Sequence, residues 1–318
     1  MKNKKWLVRL IGIVLLAYIL TRVDFRSYIV LFRKIEPVWL LWALVLILII
    51  YFLKSFRWQL LLRGQGVKYS WLNSFLAFTG SNFIAFITPG RLGEFAKVFY
   101  LRQDIKVPFS RSIPSVITDR LFDVYVLLFF GVFGMIRIGL GNNIVIALVV
   151  LVAVLTPLLL FNKKIFDLWT GILIRLPFIS RLITGKQITM QNLKEEFQKL
   201  LNINLIYALL LSVISYLILY YIAMLLAASM RINISFTDVV LMISIANILS
   251  FLPITVSGLG TREAVFIYFF HRLAYTTEQA LLFSTLFFAA FYIAGGIIAY
   301  ICFMVKPVSI RKLKAEIV

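Results

Sequence analysis

The chain has 318 residues, of which 62% are hydrophobic and only 14% charged, and it carries a formal net charge of +20. Soluble domains average about 45–50% apolar and about 25% charged residues, so this composition excludes a soluble enzyme. One cysteine, Cys302, and one histidine, His271, exclude intrachain disulfides and a thiolate or imidazole cage for zinc.

The stretches Tyr69–Gly90, Ile138–Asn162, Leu200–Met230, Val239–Thr261 and Gln279–Val305 run 22, 25, 31, 23 and 27 residues without a charge. A helix that crosses a bilayer needs about 20 residues. A membrane barrel is excluded because its strands alternate polar and apolar residues. The reading is an all-α polytopic membrane protein. In so apolar a chain the basic excess points to an anionic membrane surface and to orienting loop charges, and no nucleic-acid partner is expected.

In chain order, Lys2, Lys4 and Lys5 precede an apolar run to Leu20. The exit Thr21-Arg22-Val23-Asp24 offers no small-residue cleavage site, so the run reads as a retained first span. A second span starts near Pro37 and is followed by Lys54, Arg57, Arg63 and Lys68. Lys97, Arg102, Lys106 and Arg111 come next, then a third span with Asp119, Arg120 and Asp123, and a fourth ending near residue 162. Seven basic residues fill the loop 162–201, from Lys163 to Lys199, and Lys306, Arg311, Lys312 and Lys314 close the chain. By the positive-inside rule all these basic clusters are cytoplasmic, as are both termini.

The clusters at 54–68 and 97–111 flank one apolar segment yet want the same side. Segment 69–101 is therefore expected to enter and return as a re-entrant hairpin, broken at Thr88-Pro89-Gly90, where proline and glycine end a helix. The second half repeats the pattern. Spans near 203–228 and 279–305 bracket a hairpin 236–272, broken between Pro253 and Gly260. Both breaks read Asn, a half-helix, Pro, a glycine pair, Arg and Glu, at an offset of 165–169 residues. Two such units in opposite orientation make an inverted repeat, and transporters place substrate at broken helices of this kind.

The expected organisation is six spans plus two oppositely oriented hairpins in one membrane domain. Residues 1–161 form the first half, 162–201 an amphipathic cytoplasmic loop, 202–306 the second half, and 307–318 a cytoplasmic tail. This assignment leaves 22 of the 33 Lys and Arg on the cytoplasmic face. The alternative is eight full spans, which moves the 97–111 cluster outside.

Charge inside a bilayer costs roughly 2.5–3.5 kcal/mol per residue, so each case needs a reason. Arg91 and Glu94 follow the first break, Arg262 and Glu263 the second, and Asp119 and Asp123 share a helix face beside Arg120. These three arginines and four carboxylates are candidates for one buried network. Either they pair only with each other, or the arginines meet an anionic headgroup while the carboxylates position them. Gly90, Gly93, Gly258 and Gly260 would let backbone N–H groups approach a ligand at the positive ends of half-helices. Asn82 and Asn247 either bond that ligand or satisfy broken backbone. No nucleophile–base pair, metal cluster or nucleotide loop is present, so no cofactor and no enzymatic activity are expected.

The run Thr88-Pro89-Gly90-Arg91-Leu92-Gly93-Glu94, then Thr118-Asp119-Arg120-Leu121-Phe122-Asp123, then Gly258-Leu259-Gly260-Thr261-Arg262-Glu263 resembles the lysylphosphatidylglycerol synthase transmembrane-region, flippase-like family. The resemblance covers nearly the whole chain but only the family's membrane domain, so the aminoacyl-transferase activity is not expected here. It implies transport of a phosphate-bearing lipid or lipid-linked glycan across the cytoplasmic (inner) membrane. The partner is then an anionic or zwitterionic membrane lipid, with a homo-oligomer or a separately encoded lipid-modifying enzyme as further partners. The alternatives are a membrane-embedded transferase on a lipid carrier and a noncatalytic partner of lipid-modifying enzymes.

Overall fold

The computed structural model describes residues 16–21, 23–139, 143–162, 190–251 and 258–308. These residues are almost all helical, and no strand occurs among them. Apolar surroundings dictate this, because a helix satisfies its backbone N–H and C=O groups within its own segment. α1 (Phe25–Arg33) is capped by Asp24, whose carboxylate accepts from the Arg26 N–H. α2 (Pro37–Gly64) starts on a proline, which costs no hydrogen bond in a first turn. α3 (Trp71–Ile87) is capped by Ser70 and gives way to a 3₁₀ segment, Pro89–Phe95, and then α4 (Ala96–Ile105). α5 (Phe109–Arg137), α6 (Asn143–Phe161), α7 (Met190–Lys199), α8 (Ile203–Ser229), α9 (Phe236–Phe251) and α10 (Thr261–Arg272) follow. α11 (Thr277–Phe288) runs through a π-helical turn, Ala289–Ala294, straight into α12 (Gly295–Val305).

Among the described residues, three helices are long and apolar enough to cross a membrane: α2, α8 and the continuous Thr277–Val305. α3, the helix that leads into the first break, has 17 residues, short of the roughly 20 a crossing needs. Leu41 and Trp42 on α2, Ile206 and Tyr207 on α8, and Ile297 and Ile301 on α12 are all exposed. In water such surface would form large apolar patches; in lipid it is the ordinary outer face of a bundle.

α2 and α8 pack along each other at the centre. α3 packs against α12, and α9 against α5. Each pre-break helix therefore leans on a long helix from the other half of the chain. α7 packs through Phe197 and Leu200 on Leu60, Leu61, Phe122 and Ala208. Complementary polar pairing lies beside that apolar patch: the Glu196 carboxylate accepts from Gln65 Nε2 at 3.2 Å and from Lys199 Nζ at 2.7 Å. The first span before residue 16, the loop 163–189, the break residues 252–257 with Pro253, and the tail beyond 308 lie outside the described residues.

Candidate functional site

The first break follows from local rules. Pro89 cannot extend the hydrogen-bond ladder of α3, so the chain turns on Thr88, whose hydroxyl donates to the Ile84 carbonyl and accepts the Gly93 N–H at 2.7 Å. Gly90 and Arg91 are both left-handed, with φ 59° and 55°. Glycine adopts this freely, whereas a residue with a Cβ loses about 1–2 kcal/mol. Non-glycine strain of this kind gathers at functional sites. Gly93 does something other than open a path to a ligand. A Cβ there would lie 2.4 Å from the Ile84 carbonyl carbon, so its role is close packing of the break on α3.

Behind the break sits a buried ionic network. Arg57 of α2 donates from Nε to Asp119 Oδ1 and from Nη1 to Asp123 Oδ1, each at 2.7 Å, and from Nη1 to Ser212 at 3.1 Å. Lys97 of α4 donates to Asp119 Oδ2 at 2.5 Å. Arg120 spans Glu94 Oε1 at 2.6 Å and Asp123 Oδ2 at 2.7 Å. Lys54 donates to Asp123 at 3.1 Å and stands 4.5 Å from the centre of the Tyr216 ring. Arg57, Lys97 and Asp119 are fully buried. Charges so placed persist only when paired and hydrogen-bonded.

Three members of this network were expected elsewhere. Lys54, Arg57 and Lys97 counted as cytoplasmic loop charges by their place in the sequence. Lys54 and Arg57 instead belong to α2, which runs on to Gly64, and Lys97 opens α4 one turn after Glu94. The signal was the spacing: Lys54 and Arg57 fall on one helix face, as do Asp119 and Asp123 opposite them.

In front of the network lies a cavity of about 80 Å³, bounded by Tyr51, Lys54, Arg91, Glu94, Arg120 and Tyr292, with Asn82 and Asn247 on its wall. At 1.5 Å rise per residue, Tyr51 is ~21 Å along α2, Arg120 ~17 Å along α5 and Tyr292 ~22 Å beyond Thr277, so all three helices place it near mid-depth. At about 10–15 Å³ per water-sized position, it has room for several small polar groups. The Arg91 guanidinium stacks 5.7 Å from the Phe86 ring centre, and no ion pair to it occurs among the described residues. Arg91 Nε, Arg120 Nε and Glu94 Oε2 are buried without hydrogen-bond partners. The amide nitrogens of Asn82 and Asn247 donate to the Phe78 and Ile243 carbonyls four residues back. Their amide oxygens remain as acceptors.

Arg262 and Glu263 do not join this network, so the single cluster expected from the sequence is in fact two. Arg262 Nη2 donates to Glu263 Oε1 at 2.5 Å and Nε to Ser284 at 3.1 Å, while Ser284 donates to Glu263 at 2.7 Å. The other Glu263 oxygen takes the Gly260 N–H at 2.6 Å, which caps α10. Gly260 and Gly258 are left-handed, φ 84° and 76°. A Cβ on Gly258 would meet Ser250 Oγ at 2.4 Å. These glycines, too, are used by the fold. Among the described residues no cluster of His, Cys, Asp and Glu could hold a metal ion.

Long apolar helices, shorter apolar helices packed against them and ionic groups buried between them define a multi-pass helical membrane protein. The chain belongs to the lysylphosphatidylglycerol synthase transmembrane-region family, whose family model matches residues 6–299. That span contains both breaks and the network on α5, the regions that carried the resemblance. The family associates such membrane domains with lipid modification or flipping. A comparison with curated proteins found no match.

Proposed function

We propose that the protein is a flippase-like transporter that moves a phosphate-bearing lipid, or a lipid-linked glycan, across the cytoplasmic membrane. The observation that carries this reading is Arg91, a cation without an ion-pair partner that faces a polar cavity at mid-depth. Arg91 and Arg120 contact the phosphate, and the acyl chains stay in the bilayer. Glu94, Asp119 and Asp123 hold the cations in place, and Gly90 lets the backbone turn close to the headgroup. Asn82 and Asn247 offer oxygens to hydroxyl or amine groups. Arg262 and Glu263 pair with each other at the start of α10, outside the lining of this cavity.

The topology is six spans plus two oppositely oriented re-entrant hairpins, an inverted repeat with both termini cytoplasmic. The short length of α3 and the reciprocal packing of α3 on α12 and of α9 on α5 support it. The chemistry is transport without bond breaking, so no cofactor takes part. The test is translocation of fluorescent phospholipids in vesicles containing the purified protein, read by loss of the fluorescence that an external reductant can reach. Arg91→Ala is expected to slow translocation at least tenfold while the protein elutes and melts as a folded species. Equal rates for variant and parent, or covalent conversion of the lipid by the purified protein, would overturn the proposal.

A further inference from the structure

We infer that the headgroup this cavity accepts is a phosphate dianion: a terminal phosphomonoester or a diphosphate on a lipid, rather than a phosphodiester. Calling the ligand a lipid rests on the transport reading, whereas its charge rests on the residues alone. Five cations, Lys54, Arg57, Arg91, Lys97 and Arg120, face three carboxylates, Glu94, Asp119 and Asp123. The surplus is two positive charges. Arginine does not deprotonate in proteins, and Lys97 and Lys54 each hold a carboxylate.

Among the described residues no further acid is available to balance the surplus. Glu263 is taken by Arg262, and Asp104 by Lys306. The other described acids sit before or within the first turns of α1, α2, α9 and α11, or in α7. Uncompensated charge is costly in a membrane interior, so a ligand that brings the balancing anion is favoured.

The placement of the cations agrees. Arg57 and Lys97 stand behind the carboxylates, whereas Lys54, Arg91 and Arg120 reach the cavity wall. Arg91 and Arg120 each keep an Nε without a partner, and arginine donors match phosphate oxygens. A phosphodiester brings one negative charge and leaves the cavity at +1. A terminal phosphate brings about −1.5 to −2 at pH 7.

The test is equilibrium binding to the full-length protein in nanodiscs of neutral lipid, with four probes. These are dioleoyl phosphatidic acid, farnesyl monophosphate, dioleoyl phosphatidylglycerol and inorganic phosphate. Both terminal phosphates are expected to bind at least tenfold tighter than phosphatidylglycerol. Inorganic phosphate is expected to compete weakly, because it has no chain to place in the bilayer. Arg91→Gln should shrink the preference to threefold or less. Asn82→Asp, which adds a carboxylate at the cavity and keeps every cation, should do the same. Equal or tighter binding of phosphatidylglycerol would overturn the inference, as would an unchanged preference in both variants. Inorganic phosphate binding as tightly as the lipids would show a free anion to be the ligand and overturn the lipid assignment. A dianion preference without translocation leaves this inference standing and removes the transport reading. Translocation of phosphatidylglycerol as fast as phosphatidic acid, with no binding preference, does the reverse.

Discussion

The two breaks start from nearly the same sequence and end as different objects. In the second, Arg262 and Glu263 are adjacent, and with Ser284 they close a small triad that satisfies its own charge and caps α10. In the first, two residues separate Arg91 from Glu94. Glu94 turns to Arg120, and Arg91 is left to the cavity. The supporting helices amplify the difference. α11 offers the second break a serine, whereas α5 offers the first break Asp119, Arg120 and Asp123. The second break thus pairs its own charge, with Arg262 Nη1 left buried and without a hydrogen-bond partner, and the first is a charged site with a surplus. Similar motifs in one chain need not share a job, and here the larger ionic network belongs to the first half.

That contrast can be broken most forcefully at Asp119. Replacing it by Asn leaves Arg57 with Asp123 as its anionic partner and takes the close carboxylate from Lys97. Loss of one partner from a buried ion pair costs about 3–5 kcal/mol. Asp119→Asn should therefore lower the melting temperature in detergent more than any single change at the second break. A melting temperature like that of the parent would mean that the network is not what holds α2, α4 and α5 together.

The sequence carried much of this, though unevenly. The helical class, the long apolar helices and the first break were legible because length, charge-free runs and Pro–Gly pairs act locally. So was the pairing of Asp119 with Asp123, which follows from one turn of helix. What the sequence could not show was which cations answer them. Arg57 lies 62 residues from Asp119 along the chain, and a count of loop charges assigned it to the cytoplasm. The glycines misled for a related reason: a missing Cβ serves a ligand or a neighbouring backbone equally well, and only the approach of Ile84 to Gly93 decides which. The separation of Arg262 from the network was hidden too, because it depends on Ser284 lying opposite.

A smaller change sharpens the second half. Ser284→Ala removes one hydrogen bond to Arg262 and one to Glu263 but leaves their ion pair intact. The expected loss is about 1–3 kcal/mol, the usual net value of two hydrogen bonds. Translocation should stay within twofold of the parent. A tenfold loss of translocation at unchanged melting temperature would show that the second break also handles substrate, and the contrast drawn above would fail.

The smallest effect on stability is expected at Arg91, and there the sign reverses. Arg91→Gly removes a side chain that holds a left-handed backbone (φ 55°) and makes no ion pair among the described residues. Glycine adopts that backbone without the Cβ penalty, and the variant no longer carries an uncompensated charge into the membrane. Against this stands added freedom in the unfolded chain, which glycine raises. The net is a gain of a few tenths to about 1 kcal/mol, read as a slightly higher melting temperature, together with loss of translocation. Such a pairing is the mark of a residue kept for function at the expense of the fold. A drop in melting temperature comparable to that of Asp119→Asn would instead place Arg91 among the residues that hold the first break together, and the two breaks would then be the same kind of joint.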